Sequence, residues 1–361
     1  MKKIILILCF LLSLGACKEE NKTVEKEKPV VKIGASLPLS GNMAAIGNAA
    51  HRALIASVAK VNQNPNNKYR YELIVENDQM NPRYISSIAY KFLYKDYVDV
   101  IISYFSVAGR IVAPMAAKRK IINFNLGFGD DVLLGKYNFQ NFLTVEAEND
   151  AVLAFLKKHN VTNVDLIYQN IGAADEFLGP LQEKLKEQNI DYTVHRFNKD
   201  ERDFRILISQ VKESPSTAVF IYAFEPEADI LTQEIRLQKV KKIVAYNDGL
   251  PMTNNYALYE GFYNIGSIST PEKYRKEWGL EGQNAAYSIY LYDTMQIIAE
   301  AYENAKAQNI VPTADEVSIY LHLKPEYRGI AGKLRLDEKG QFHSRSEVSS
   351  VKNKKLVIEE Q

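Results

Sequence analysis

The sequence predicts an α/β fold in which parallel sheets are covered by helices, and its 361 residues are enough for two domains. From residue 31 to about 244, short apolar runs rich in Val and Ile alternate with longer segments whose apolar residues recur every three or four positions. Such alternation is typical of a parallel sheet with crossover helices. It stops at 127–141, a stretch with Gly and Asp and no clear helical pattern. We therefore expect a lobe boundary near Thr144.

Eight apolar runs are predicted as strands because each is flanked by turn residues: 31–37, 71–75, 98–102, 120–124, 164–168, 192–197, 218–222 and 242–246. The helical period is clearest at 44–61, 83–94, 150–159, 178–188 and 228–238, and two more helices are expected at 284–305 and 313–323. The tail from 332 to 359 alternates as hairpin strands, with residues 337–340 as the turn.

The N-terminus has the order of a secretory signal. Two lysines precede an apolar run at 4–12, which is followed by Ser13-Leu14-Gly15-Ala16-Cys17. The run is too short for a bilayer span of roughly 20 residues. Leu14-Gly15-Ala16-Cys17 resembles the bacterial lipobox, so we expect 1–16 to be a lipoprotein signal peptide and Cys17 to carry a lipid that anchors the chain to a membrane. The alternative is an ordinary cleaved signal that ends near a cysteine.

Composition describes an ordinary globular protein, with 46% apolar and 25% charged residues. A net charge of +1 gives no field to attract nucleic acid. Both cysteines, Cys9 and Cys17, belong to the signal region, so the mature chain has no disulfide. Residues 17–29 are rich in Lys and Glu and poor in apolar side chains, and we interpret them as a disordered tether.

The sequence lacks the motifs of common enzymes. Its histidines, at positions 51, 159, 195, 322 and 343, do not have the spacing of zinc ligands. The segment 129–136 resembles a P-loop, but it has one residue too many between its glycines, and Tyr137 stands where Ser or Thr must bind magnesium. Gly-x-Ser-x-Gly is absent. We expect no metal, no cofactor and no enzymatic activity.

The opening of the folded part carries a resemblance to a known family. Residues 31–41 spell Val-Lys-Ile-Gly-Ala-Ser-Leu-Pro-Leu-Ser-Gly, and Ala44-Ala45-Ile46-Gly47 follow. Later landmarks are Glu76-Asn77-Asp78, 98–102, Ala113-Pro114, 285–287 with Tyr292-Asp293, and 329–332 with Leu336-Asp337 and Gly340. From about 31 to 357, the chain resembles the branched-chain amino-acid binding proteins of ABC importers, the type I periplasmic binding proteins.

This resemblance implies two similar lobes, each a parallel-sheet α/β sandwich, joined by three crossovers and separated by a ligand cleft. Lobe one would comprise 30–143 and 268–325, and lobe two 144–267 and 326–361. It also implies hinge closure on a small-molecule solute and delivery of that solute to the membrane subunits of an ABC permease. The protein would work in the cell envelope, facing the periplasm or the exterior. No surface for self-association is evident, so we expect a monomer.

Loops beyond the carboxyl ends of parallel strands are the candidate binding loops. Ser40, Gly41 and Gly47 follow the first strand, and the glycines would let backbone N–H groups approach an anionic group at a helix N-terminus. An equally good interpretation is that Ser40 caps the helix and the glycines only turn the chain.

The next two candidate loops follow the third and fourth strands. The resemblance implies donors for a ligand carboxylate at Tyr104, Ser106 and Val107, and Ser106 is the residue that we favour, although it could equally cap the helix that follows. Leu126 and Gly127 depart from the family, because one of them replaces a Thr that helps to hold the amino acid in relatives.

Lobe two contributes Phe224 and Asp248 to the predicted site. The resemblance implies that Asp248 pairs with a ligand ammonium, a partner that a buried charge needs. The competing interpretation is an exposed Asn-Asp-Gly turn. Four aromatic residues at strand ends would form the apolar walls of the site, unless they are simply core residues: Tyr104, Phe105, Phe224 and Tyr246.

Two functional hypotheses follow. The first is a solute-binding lipoprotein that captures an amino-acid-like or carboxylated solute and delivers it to an ABC importer. The second, motivated by Leu126 and Gly127, is a lipoprotein of the same fold that contacts or regulates an envelope protein without transporting a ligand.

Overall fold

The structure is a computed structural model and describes residues 27–253, 255–281 and 285–359. The predicted signal peptide, Cys17 and most of the predicted tether lie outside these residues. Within them the chain forms two mainly parallel sheets with antiparallel edge strands, and helices cover both. The expected two-lobed α/β fold is confirmed.

The strands in chain order are β1 (Val30–Leu37), β2 (Arg70–Asn77), β3 (Val100–Tyr104), β4 (Ile122–Leu126), β5 (Asn138–Asn141), β6 (Asn163–Gln169), β7 (Asp191–Phe197), β8 (Ala218–Tyr222), β9 (Ile243–Tyr246), β10 (Tyr263–Gly266), β11 (Glu326–Gly329), β12 (Gly332–Leu336), β13 (Gln341–His343), β14 (Glu347–Lys352) and β15 (Lys355–Ile358). The helices are α1 (Ala44–Asn62), α2 (Pro82–Lys91), α3 (Phe105–Arg119), α4 (Val145–Lys158), α5 (Gly172–Glu187), α6 (Arg205–Glu213), α7 (Glu227–Leu237), α8 (Glu272–Glu277), α9 (Ser288–Asn304) and α10 (Ala314–Leu323).

Each sheet is the centre of one lobe. The sheet of lobe one has the order β11-β12-β13-β5-β4-β3-β1-β2, and that of lobe two has the order β15-β14-β10-β9-β8-β6-β7. The chain passes between the lobes after β5, after β10 and after β13. Three connections of a few residues each are the usual geometry of a hinge, because small changes in their backbone angles rotate one lobe against the other.

The sequence assigned 326–361 to lobe two, and for the first three strands of that segment this is wrong. β13 pairs in parallel with β5, and β12 and β11 extend the same sheet outward as antiparallel strands. Burial decides the placement: Phe342 has no exposed surface and stacks on Phe124, with ring centroids 6.0 Å apart. Only β14 and β15 join the second sheet.

The eight predicted strands are present as β1–β4 and β6–β9, and the predicted tail from 332 contains β12–β15, but β5, β10 and β11 were missed. β5 consists of Asn-Phe-Gln-Asn and is nevertheless fully buried. The side-chain amide of its first residue, Asn138, finds partners inside the protein. It accepts a hydrogen bond from Asn123 (2.9 Å) and donates one to the Leu134 carbonyl (2.7 Å). A polar tetrapeptide can lie in the interior when its hydrogen bonds are made there, and apolar periodicity does not reveal it.

Lobe two contains a buried ion network near the amino ends of its parallel strands, centred on Asp165 of β6. The Asp165 carboxylate has no exposed surface and lies 2.9 Å from His195 Nε2 and 3.3 Å from Lys242 Nζ. Two serine hydroxyls, of Ser214 and Ser216, also donate to it. Burial alone would raise the pKa of Asp165, but the hydrogen bonds from His195 and both serines, together with the Lys242 charge, lower it to about 2.

We expect Asp165→Asn to lower the free energy of unfolding at pH 7 by about 2–3 kcal/mol, because it leaves the Lys242 ammonium buried without a carboxylate. The folded-state pKa of about 2 lies below the usual 3.8. This stabilisation is therefore complete above about pH 4 and lost as the pH falls toward 2. Urea unfolding at pH 7, 4 and 2.5 measures both effects.

The matched control for this prediction is Asp175→Asn, which removes an exposed ion pair with Arg196 in the same lobe. Exposed pairs contribute less than about 1 kcal/mol. Equal losses for the two variants at pH 7 would contradict a stabilising role for the network.

Candidate functional site

Three buried tyrosines and one buried carboxylate lie beyond the carboxyl ends of the parallel strands, and each lobe contributes two of these four side chains. Lobe one contributes Tyr104, the last residue of β3, and Tyr287, which precedes α9. Lobe two contributes Tyr222, the last residue of β8, and Asp248, two residues beyond β9. Burial raises the pKa of Tyr287, and the charge of Asp248 raises it further, with contributions from Tyr222 and Tyr104. These side chains therefore lie within electrostatic reach of one another across the lobe boundary.

Asp248 is 1% exposed, so it is not the open turn that its Asn-Asp-Gly context allows. Its carboxylate accepts hydrogen bonds from the backbone N–H (2.5 Å) and hydroxyl (2.7 Å) of Ser267, in the second lobe crossover. Gly266 is required for this contact, because a Cβ there would lie 1.9 Å from Asp248 Oδ1. Burial raises the pKa of Asp248 to about 6, although the Ser267 hydrogen bonds oppose the shift.

A second carboxylate, Glu148, lies in the first turn of α4 and has no exposed surface. Neither of its side-chain oxygens has a hydrogen-bond partner among the residues that the structure describes. Burial raises its pKa well above the usual value, and the negative charge of Asp248 raises it further. An acid buried in this way costs several kcal/mol unless something compensates it.

Two tyrosines of lobe two stand side by side near these acids. Tyr168 of β6 and Tyr222 of β8 are direct partners in the sheet register, and their rings lie 5.9 Å apart and within 2° of parallel. Burial raises the pKa of both hydroxyls, and the charge of Glu148 raises it further. Within the described part of the chain, the Tyr168 hydroxyl has no hydrogen-bond partner.

The aromatic residues of lobe one begin two helices with unusual backbone angles. Phe105 has φ +64° and Tyr287 has φ +62°, in the left-handed region that costs non-glycine residues about 1–3 kcal/mol. The Phe105 ring stacks on Tyr104, with centroids 4.3 Å apart, and meets the Tyr287 ring edge-on at 6.5 Å. The Tyr104 hydroxyl is buried without a partner. Strained residues of this kind are found at binding sites.

The first predicted loop is used for packing. Ser40 accepts a hydrogen bond from Asn77 (2.8 Å), and no side chain caps α1. Gly41 turns the chain with φ +82°. Gly47 lies inside α1 and donates its N–H within the helix, while a Cβ there would come within 2.1 Å of the Pro38 carbonyl oxygen. Its N–H is therefore committed to the helix and is not the free donor that the sequence predicted.

Ser106, the favoured donor, lies in the first turn of α3, but its hydroxyl donates to the Phe128 carbonyl at 2.6 Å. It does not cap the helix, because α3 begins one residue earlier, at Phe105. Val107 is half-buried against an apolar cluster of lobe one. What this turn offers a ligand is its backbone, since the first N–H groups of a helix have no partner within it.

The departures from the family are structural. Leu126 has no exposed surface and belongs to the core of lobe one. At Gly127 a Cβ would lie 2.4 Å from the Ser106 nitrogen, so the close approach of β4 to α3 requires glycine. The Gly127 carbonyl also accepts a hydrogen bond from the buried side chain of Gln140.

Phe224 and Tyr246, which were both expected to form apolar walls of the site, differ in burial. Phe224 is half-buried, its ring meets Tyr222 edge-on at 5.7 Å, and its N–H donates to Gln169 (3.2 Å). Tyr246 is fully buried in a core of lobe two, with its hydroxyl bonded to Thr232. For Tyr246, the core interpretation is the correct one.

Sequence reasoning missed Glu148, Tyr168, Tyr222 and Tyr287. The strand-end position of Tyr168 and Tyr222 was a usable signal, because both end predicted strands. Glu148 is one of several acids near the start of a helix, and nothing in the sequence separates it from Glu146, which is exposed.

The sequence profile of the periplasmic binding protein family matches residues 30–355. The chain belongs to this family. Leu/Ile/Val-binding protein homolog 2 of Brucella abortus is 24% identical over 370 aligned positions, which cover 92% of this chain and 91% of that protein. The fold and the match together make it a solute-binding protein of the extracytoplasmic class, not an enzyme.

Solved structures agree with the fold of this periplasmic binding protein. A leucine-binding protein of Thermotoga maritima has a TM-score of 0.76 at 18% identity, covering 91% of this chain and 98% of its own. A branched-chain amino acid transporter substrate-binding protein of Streptococcus pneumoniae, in complex with isoleucine, has a TM-score of 0.77 at 16% identity. The match covers 92% of this chain and 100% of that one. An ABC transporter solute-binding protein of Rhodopseudomonas palustris, in complex with 3,4-dihydroxybenzoic acid, has a TM-score of 0.77 at 16% identity. The match covers 91% of this chain and 96% of that one. Among the described residues, no helix is both long and apolar enough to cross a membrane.

An ion pair joins the two lobes of the binding protein near the cleft. Arg110 of α3 contacts Glu176 of α5 at 2.8 Å and Asp131 of its own lobe at 2.6 Å. All three side chains are partly exposed. The contact with Glu176 exists only while the lobes are together, so it favours the closed arrangement by the small amount typical of exposed pairs.

We expect Glu176→Gln to reduce the closed population by less than about fivefold, because an exposed pair contributes at most about 1 kcal/mol. The reduction should shrink at high salt, which screens the wild-type pair. Distances between spin labels on the two lobes, measured at 20 and 500 mM salt, report the closed fraction. Asp175→Asn, on the same helix but paired within lobe two, should leave it unchanged. Equal effects of both variants would argue against the lobe-to-lobe contact.

Proposed function

We propose that this protein is a lipid-anchored, extracytoplasmic solute-binding protein that captures a small amino-acid-like or carboxylated solute between its lobes and delivers it to an ABC importer. The observation that carries the proposal is Asp248, a buried carboxylate where the two lobes meet. A carboxylate in such a place favours a solute that brings a positive charge, and closure of the lobes would remove both charges from water together.

The opposite side of the cleft suits a carboxylate. The first turn of α3, at Ser106 and Val107, presents backbone N–H groups at a helix N-terminus, which favours anions. A zwitterionic solute would place its ammonium at Asp248 and its carboxylate at α3. Both solutes named for the structural neighbours, isoleucine and 3,4-dihydroxybenzoic acid, carry a carboxyl group, which supports this class.

The first test is a thermal-unfolding screen of the detergent-extracted full-length protein against amino acids, amines, aromatic acids and nucleosides. A true ligand stabilises the native state by about 2.7 kcal/mol at a hundredfold excess over its Kd. For an ammonium-bearing ligand, Asp248→Asn should weaken binding at least tenfold, because a charged hydrogen bond contributes about 1.5–3 kcal/mol. Asp191→Asn, exposed at the start of β7, is the control and should bind normally.

A protein that neither closes nor gains thermal stability with any of these compounds would refute solute binding. In that case, recovery of one envelope protein in a pull-down would support the second hypothesis, a lipoprotein that contacts or regulates a partner.

The lipid anchor has its own prediction. Cys17→Ser should abolish lipid attachment and move the protein from the membrane fraction to the soluble fraction, because Cys17 is the residue that the lipobox pattern marks for lipidation. Metabolic labelling with a fatty acid and membrane fractionation measure this, with Cys9→Ser as the control. Retention of Cys17→Ser in the membrane would contradict the proposed anchor.

A further inference from the structure

We propose that the ligand carries two protonated nitrogen groups and that Glu148 is the specificity residue that selects the second of them. This inference rests on the proposed solute-binding function and narrows it to a chemical class: diamino acids or diamines. It depends on the position of Glu148, which neither the sequence nor the family match singles out.

The charges around the two acids are unbalanced. Neither Glu148 nor Asp248 forms an ion pair with any residue that the structure describes, whereas Asp165, in the same lobe, has a lysine within 3.3 Å. The charge that acts on Glu148 is that of Asp248, and Glu347 acts on Asp248. All three are acids. A single ammonium would therefore leave one buried carboxylate without a counter-charge when the lobes close.

Protonation of Glu148 does not remove the problem. A neutral carboxyl group must still donate one hydrogen bond and accept others, and neither Glu148 oxygen has a partner. The hydroxyl of Tyr168, which lies in the field of Glu148, is buried without a partner too. Buried polar atoms are satisfied in the great majority of proteins. Unsatisfied polar atoms of lobe two, within reach of the charge of Asp248, indicate that the ligand supplies the missing hydrogen-bond partners.

The surroundings of Glu148 suit an ammonium in a second way. The rings of Tyr168 and Tyr222 are parallel to each other, and the charge of Glu148 acts on both of them and on Tyr287 of the other lobe. Aromatic faces attract organic cations, more strongly where water is excluded. Carboxylates interleaved with tyrosines recognise protonated amines better than they recognise an alkyl or aryl group.

The test compares Glu148→Gln with the matched control Glu146→Gln, an exposed acid two residues earlier on α4. Calorimetric titration of the full-length protein uses lysine, ornithine and putrescine as two-amine probes, leucine as a one-amine probe and 4-hydroxybenzoate as an amine-free probe. We expect wild type and Glu146→Gln to bind a two-amine probe at least tenfold more tightly than leucine. In Glu148→Gln, the affinity for the two-amine probe relative to leucine should fall at least tenfold, while the affinity for leucine itself changes less than threefold.

Thermal unfolding separates this role from a structural one. Without ligand, Glu148→Gln should be as stable as wild type or more stable, because it removes an uncompensated acid. A large drop in Tm would mean that Glu148 supports the fold, and the wild-type ranking of the probes would then decide the inference alone.

Two outcomes are distinguishable. Binding of leucine or 4-hydroxybenzoate in preference to all two-amine probes would overturn the inference and leave the solute-binding function intact. If the protein bound none of these probes and no compound of the wider screen, both the inference and the proposed solute-binding function would be refuted. Comparison of lysine with putrescine shows whether the ligand also needs a carboxylate.

Discussion

Burial of a carboxylate without a cation is the constraint on which the binding site of this protein depends. Among the described residues, Asp248 is held by Ser267 but has no counter-charge, and the side-chain oxygens of Glu148 have no hydrogen-bond partner. Such groups are tolerable in an open cleft, where water reaches them, and unfavourable between closed lobes. Under the proposed function, a solute that brings positive charge and hydrogen-bond donors would remove this cost, which would join selectivity to the hinge motion.

The opposite end of the same sheet shows how this lobe treats an acid that serves stability. Asp165 is equally buried, but Lys242, His195 and two serines surround it, and its pKa is about 2, whereas that of Asp248 is about 6. The difference comes from partners, since burial acts in the same direction on both. Lobe two thus surrounds Asp165 with partners of its own, whereas none of its described residues gives Asp248 a cation.

The fold was largely predictable because most of the parallel strands of both lobes are apolar, and several of them are completely buried. The failures have specific causes. β5 is polar in sequence but buried, and its first side-chain amide, that of Asn138, bonds to Asn123 of β4 and to the Leu134 carbonyl. The strands β11 to β13 were assigned to the wrong lobe, because a hairpin pattern does not reveal which sheet the hairpin joins. That choice was made by the burial of Phe342 against Phe124.

Local sequence by itself indicated most of the parallel strands, several of the helices and the loops that could hold a ligand, because these depend on residues close together in the chain, and on the same basis it predicts an export signal. It also singled out Asp248. Only the tertiary structure decided that Gly47 and Leu126 serve packing and that Glu148, about 100 positions from Asp248 in the chain, lies within reach of its charge. The reason is that electrostatic energy depends on distance in space and on exclusion of water, and neither quantity is written in the spacing of residues.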